Sequence, residues 1–135
     1  MATFRLGKLQ LRIMQALWEQ GPGTVADVQE RLAVEESGGE DSGLAYTTVA
    51  TMLRKMEDRG LVEHEAEGRK FIYRAAVAER DVTRSMTHDI LDRLFEGSLS
   101  DMVSHLLTSR EVSPRELAKL EKMIAERRRR KKKSL

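Results

Sequence analysis

Apolar side chains recur at helical spacing from the start of the chain. Leu11, Met14, Leu17 and Trp18, with Ile13 beside them, predict a first helix from about Lys8 to Gln20. Gly21-Pro22-Gly23 breaks it. Thr24 is then placed to cap a second helix, with Asp27 at capping-box spacing and Val25, Val28 and Leu32 as the inward stripe, ending near Ala33. Glu35 to Gly43 has no apolar residue and three glycines, which predicts a mobile, solvated loop. A third helix follows from about Tyr46 to Arg59, with Val49, Met52, Leu53 and Met56 inward and Gly60 placed to end it in the left-handed conformation.

The period then changes. Leu61 to Glu65 and Lys70 to Ala75 read as two short strands joined through Ala66-Glu67-Gly68-Arg69. Three short helices and a hairpin within residues 1–77 predict a winged helix-turn-helix. The fold class is therefore mainly α with a small β-hairpin wing, followed by a helical domain.

That second domain reads as three amphipathic helices. Val82, Met86, Ile90, Leu94 and Phe95 mark one, stopped at Gly97. Leu99, Met102, Val103, Leu106 and Leu107 mark another. Ser113-Pro114-Arg115-Glu116 opens a third, continued by Leu117, Leu120 and Ile124. Stripes this short bury little apolar area alone. Two chains sharing them is the economical solution, so residues 78–126 are expected to form a homodimer. The stripe residues Val82, Met86, Ile90, Leu94, Met102, Val103, Leu106, Leu117, Leu120 and Ile124 are the expected contacts.

Charge alters this picture at one place. The 135 residues sum to +2, but Arg127 to Lys133 are seven consecutive cations. Residues 1–126 hold 17 basic and 22 acidic residues, a net −5. The basic pI thus belongs to the tail. Three roles stand open for it: a phosphate-binding arm, an interaction tail, or a disordered solubilising end. A disordered tail over 127–135 that adds non-specific affinity for nucleic acid is favoured. The absence of cysteine excludes disulfides, thiolate zinc and a cysteine nucleophile. No run approaches a membrane span, and no basic-then-apolar leader opens the chain, so the expected location is cytoplasmic.

Candidate chemistry concentrates on the third helix. Tyr46, Thr47, Thr48, Thr51, Arg54 and Lys55 occupy its first turn and outer face, opposite the apolar stripe. Short hydroxyls near the N-terminus of a helix in the major groove reach base edges, and long cations further along hold phosphates. An ordinary solvated face has the same composition; the place of this helix after a helix-turn and before a hairpin favours the DNA reading. Arg69 and Lys70 at the hairpin tip suit a phosphate contact, or simply a soluble turn. Glu63, Glu65 and Glu67 would repel DNA unless the strands turn them away. His64, His88 and His105 show no ligand spacing and read as surface residues. The methionines and Trp18 read as core. No nucleophile elbow, phosphate loop or metal set is found, so neither an enzyme nor a cofactor is expected.

The runs Leu11-Arg12-Ile13-Met14-Gln15-Ala16-Leu17-Trp18, Thr24-Val25-Ala26-Asp27-Val28, Ala45-Tyr46-Thr47-Thr48-Val49, Gly60-Leu61-Val62 and Gly68-Arg69-Lys70-Phe71-Ile72-Tyr73 resemble the BlaI/MecI penicillinase-repressor family. The match runs in order over about residues 6–124. The resemblance implies a dimeric winged-helix repressor bound to a short inverted-repeat operator. It also implies inactivation by cleavage in the C-terminal domain, downstream of a membrane sensor with a cytoplasmic metalloprotease domain. The family's cleavage position aligns with His105-Leu106, where this chain departs from the Asn-Phe pair of the best-known members. The Cys-x-Cys motif of copper-responsive relatives is missing. The expected function is a homodimeric transcriptional repressor. The alternative is a winged-helix protein-interaction module with a non-specific nucleic-acid-binding tail, or nucleic-acid binding through the tail alone.

Overall fold

A computed structural model describes residues 4–35 and 43–134; the acidic loop expected at 35–43 lies almost wholly outside them. The elements run α1 (Lys8–Gln20), α2 (Val25–Glu35), α3 (Tyr46–Asp58), β1 (Val62–Glu67), β2 (Lys70–Ala75), α4 (Glu79–Phe95), α5 (Leu99–Ser109) and α6 (Pro114–Ser134). Three helices with a two-stranded antiparallel wing, then helices alone, is the expected fold class.

Local chemistry sets most boundaries. The Thr24–Asp27 box forms in both directions: the Thr24 amide donates to Asp27 Oδ2 at 2.9 Å and the Asp27 amide to Thr24 Oγ1 at 3.1 Å. Hydrogen bonding from Thr24 to the carboxylate, its amide first, holds the Asp27 carboxyl below its ordinary value. α3 ends in a Schellman turn. The Gly60 amide donates to the Glu57 carbonyl at 2.9 Å, the Leu61 amide donates to the Met56 carbonyl at 3.0 Å, and Gly60 has φ 78°. The wing turns on Gly68-Arg69 alone, with Gly68 at φ 64°. Ala66 and Glu67, expected in the loop, are paired strand residues.

The first core draws on every element up to the wing. Ile13, Met14 and Leu17 of α1, Val25, Val28 and Leu32 of α2, Val49, Leu53 and Met56 of α3, and Leu61, Val62 and Tyr73 form one buried cluster. Each large side chain fully withdrawn from water contributes roughly 1.5–3 kcal/mol. Trp18 lies at the edge of this core, its Nε1 donating to the Val77 carbonyl at 3.0 Å. Gly23 does more than break a helix. Its N–H and C=O both pair with Tyr73, at 2.9 and 2.8 Å, which adds a bridge to the wing. A Cβ there would meet the Arg31 guanidinium at 2.9 Å, so glycine is what allows Arg31 to reach the Gly21 carbonyl at 2.6 Å.

The chain divides into two compact units, residues 1–88 and 89–135, so the boundary falls inside α4 and not at 77/78. The reason is packing of the first turns of α4 within the first unit. Val82 is 1% exposed, and Ser85 Oγ accepts the Phe4 amide at 2.9 Å.

In the second unit α4 stops at Glu96 and Gly97, both with positive φ. Ser98 caps α5 through the Asp101 amide, and Ser113 caps α6 through the Glu116 amide. α6 does not stop before the cations. It continues through the basic run to Ser134, in place of the disordered tail expected at 127–135. Arg and Lys have good helix propensity, cations are favourable at a helix C-terminus, and no Gly or Pro interrupts after Pro114. Among the described residues, none beyond Val82 is buried. None of the described helices is long and apolar enough to cross a membrane.

Candidate nucleic-acid interface

The buried side of α3, Val49, Leu53 and Met56, fixes which side faces outward. At 3.6 residues per turn, Thr47, Thr51, Arg54 and Asp58 fall within about 60° of one another, opposite that buried side. All four are exposed. Thr48 and Lys55, also exposed, flank this stripe on one side. Tyr46 flanks it on the other, about 100° away from Thr47 and on the same side as Glu57. The structure thus brings Thr47, Thr51 and Arg54 together as expected, and sets Tyr46, Thr48 and Lys55 along the margins. The sequence reading missed Asp58, an acid on the outer stripe just before the Schellman turn. Its i, i+4 relation to Arg54 was the available signal.

The wing sorts its charges by strand alternation. In the register Val62↔Ala75, His64↔Tyr73 and Ala66↔Phe71, one face carries Val62, His64, Ala66, Phe71, Tyr73 and Ala75. The other carries Glu63, Glu65, Glu67, Lys70, Ile72 and Arg74. Arg74 pairs with two of the acids, its Nε 2.8 Å from Glu63 Oε1 and its Nη2 2.7 Å from Glu65 Oε1. These contacts raise the Arg74 pKa, Glu65 contributing first. Two of the three glutamates that could repel a duplex therefore already have a cation. Arg69 and Lys70 stand exposed at the hairpin end.

His64 is not the plain surface residue expected from its lack of ligand spacing. Its Nδ1 lies 2.6 Å from Glu57 Oε2, and its ring stacks on Phe71 with centroids 4.2 Å apart. Tyr73, 5.4 Å from the same imidazole, has its phenol pKa raised by burial and then by Glu57. Histidine beside two aromatics on one strand face was the signal; the partner on α3 could not be inferred from spacing. Another contact unseen in the sequence occupies Arg59, which donates to Gln10 Oε1 at 3.0 Å and to the Arg5 carbonyl at 2.6 Å. Arg59 therefore ties α3 to the N-terminal segment.

The expected dimer residues separate into three groups by exposure. Val82, 1% exposed, is buried within the first compact unit of the single chain. Ile90, Leu94, Val103, Leu106, Leu117 and Ile124 are 39–71% exposed in the single chain, while Met86, Met102 and Leu120 are half-buried; Leu99, Leu107 and Met123, outside the expected set, are exposed as well. His105 lies in α5 with its ring 5.9 Å from Phe95, and its carbonyl accepts from Ser109 Oγ at 2.6 Å and Thr108 Oγ1 at 3.2 Å. Among the described residues, no three His, Asp or Glu side chains are grouped to hold a metal ion.

A helix-turn-helix whose second helix presents hydroxyls and cations beside a two-stranded hairpin defines a winged-helix protein. Residues 6–126 match the penicillinase repressor family over nearly the whole chain, and this chain belongs to that family. It is similar to the penicillinase repressor of Bacillus licheniformis, 27% identical over 95% of both chains. It is also similar to the methicillin resistance regulatory protein MecI of Staphylococcus aureus (strain N315), 14% identical over 90% of this chain and 94% of that one. Among solved structures, the Bacillus licheniformis BlaI monomer in complex with the blaP half-operator aligns with a TM-score of 0.46 at 22% identity, over 59% of this chain and 90% of that one. A MarR family protein from Bacillus stearothermophilus aligns with a TM-score of 0.47 at 19% identity, over 96% of this chain and 77% of that one.

Proposed function

We propose that this protein is a homodimeric transcriptional repressor that binds an inverted-repeat DNA operator through α3 and the wing. The observation that carries the reading is the outer stripe of α3 in a chain of the penicillinase repressor family. Thr47, Thr51 and Arg54 stand opposite a fully buried face, so the helix can enter a groove without disturbing its core. In this reading Thr47, Thr51 and Arg54 meet base edges, with Thr48 and Tyr46 at the margins. Lys55, Arg69 and Lys70 hold phosphates.

Dimerisation is supported by the second unit, where apolar side chains of α4, α5 and α6 stay exposed in one chain and none of the described residues is buried. Monomeric proteins rarely leave so much contiguous apolar surface in water. A second copy would cover it and place two recognition helices for half-sites centred one or two helical turns apart. The aligned cleavage position, His105-Leu106, lies within α5, so a sensor metalloprotease would have to open that helix before cutting. A cut there would divide the apolar surface and weaken bivalent binding.

The test is a gel-shift against DNA upstream of the chain's own coding sequence, with a random duplex as competitor, beside sedimentation of the free protein. A dimer with preference for the upstream duplex is expected. Equal affinity for both duplexes would overturn the operator reading, and a monomer would overturn the shared interface.

A further inference from the structure

The run Arg127–Lys133 has no part in the winged-helix unit, and its course as helix changes what it can do. On α6, Leu117, Leu120 and Ile124 share one face, and the same face continues through Arg127 and Lys131. The apolar stripe therefore gives way to cations along a single rigid element. The six described cations, Arg127 to Lys132, pass more than one and a half times round a helix, so every side of this end is cationic. The described side chains, Arg127 to Lys132, are all exposed.

Such a segment repels itself. Arg127 and Lys131, Arg128 and Lys132, and their i, i+3 neighbours are like charges at helical contact distance. Glu126 is the acid adjoining the run. A polyanion would relieve that repulsion. No apolar residue interrupts the run, so it has nothing to insert into a lipid bilayer and its binding energy must be coulombic. Duplex DNA, with one charge per about 1.7 Å of axis, is a dense linear array of anions that suits a helix rising about 1.5 Å per residue.

We propose that the 127–133 end of α6 is a second, sequence-independent nucleic-acid-binding site, taking the phosphate backbone of duplex DNA. The choice of DNA as the polyanion rests on the repressor reading above. The site adds salt-sensitive affinity without reading bases. In a dimer it doubles, so the protein would be retained near DNA between encounters of α3 with an operator.

The test uses the full chain beside a variant carrying Arg128→Gln, Arg129→Gln, Lys131→Gln and Lys132→Gln. Glutamine keeps helix propensity, and far-UV circular dichroism checks that the helix persists. Binding to a short random-sequence duplex and to the upstream duplex is followed by fluorescence anisotropy over a salt series. On the random duplex the variant should bind at least about ten-fold more weakly at low salt, and its log–log salt slope should shrink by roughly 3–4. Its preference for the upstream duplex should be kept or increased. Unchanged affinity and slope on the random duplex would overturn the proposal. If neither protein prefers the upstream duplex, the operator reading fails while the tail-dependent slope still supports this site. Phosphatidylserine-containing vesicles serve as a further arm, and tighter binding to them than to the duplex at equal salt would overturn the assignment to DNA.

Discussion

The imidazole of His64 is joined to the carboxylate of Glu57, with Nδ1 2.6 Å from Oε2 and 2.8 Å from Oε1. Glu57 is the penultimate residue of α3 and His64 the third of β1, so this contact spans the Schellman turn at Gly60. Phe71, from the opposite strand, stacks on a face of the same imidazole with ring centroids 4.2 Å apart. α3 and the wing are thereby held by one side-chain cluster as well as by the chain between them.

Breaking that cluster should disturb wing placement more than folding. His64→Ala is expected to cost about 1 kcal/mol in urea unfolding, the usual worth of a hydrogen bond that is partly open to water. Affinity for the preferred duplex should fall several-fold, with random-duplex affinity nearly constant. An unchanged affinity ratio in anisotropy titrations would show that the wing is held without it.

The outer stripe of α3 predicts a division between base and phosphate contacts. Arg54→Ala should cost roughly 1–3 kcal/mol on the preferred duplex and relax its selectivity. Lys55→Ala and Arg69→Ala should weaken all duplexes alike and reduce the salt slope by about 1 each. Competition titrations at several salt concentrations separate the two behaviours.

The capping box gives a signed pH dependence. The Asp27 carboxyl is depressed below 3.8 in the fold, chiefly by the Thr24 hydrogen bonds. Its contribution is complete above that value and is lost as pH falls through the folded pKa. Thr24→Ala should cost roughly 0.5–2 kcal/mol at neutral pH. Asp27→Asn should be less stable than the parent at pH 7, with the gap closing in strongly acidic solution. Urea midpoints at the two pH values measure this.

Gly60 and Val82 probe two kinds of structural demand. Gly60 has φ 78° with open space where a Cβ would stand, so Gly60→Ala should cost about 1–2 kcal/mol from backbone strain alone. Val82→Ala should cost about 2 kcal/mol by leaving a void at a buried position of the first unit, with no change in the sedimenting species. Leu94→Glu is expected to do the reverse, shifting the sedimenting species toward monomer with little loss in the winged-helix unit.

Periodicity made the secondary structure legible because each early element signals its own ends. α1 was read to the residue, Thr24 and Asp27 announced α2, and Gly60 announced the end of α3. The outer stripe of α3 was legible for the same reason, since a buried side defines its opposite. Two readings failed, for different reasons. The apolar pattern of α4 is continuous, and nothing within it marks that Val82 becomes buried while Leu94 stays exposed. The basic run was read as a disordered tail, yet helix propensity and the favourable dipole at a C-terminus carry α6 through it.

Local sequence, then, determined the elements, their caps and the exposed outer stripe of α3, because these depend on spacing within one or two turns. Tertiary structure alone decided three things. It placed Gly23 against Tyr73 as a bridge to the wing, put Arg74 between Glu63 and Glu65, and brought Glu57 to His64. Each depends on the relative placement of separately formed elements, which no pattern within a single element encodes.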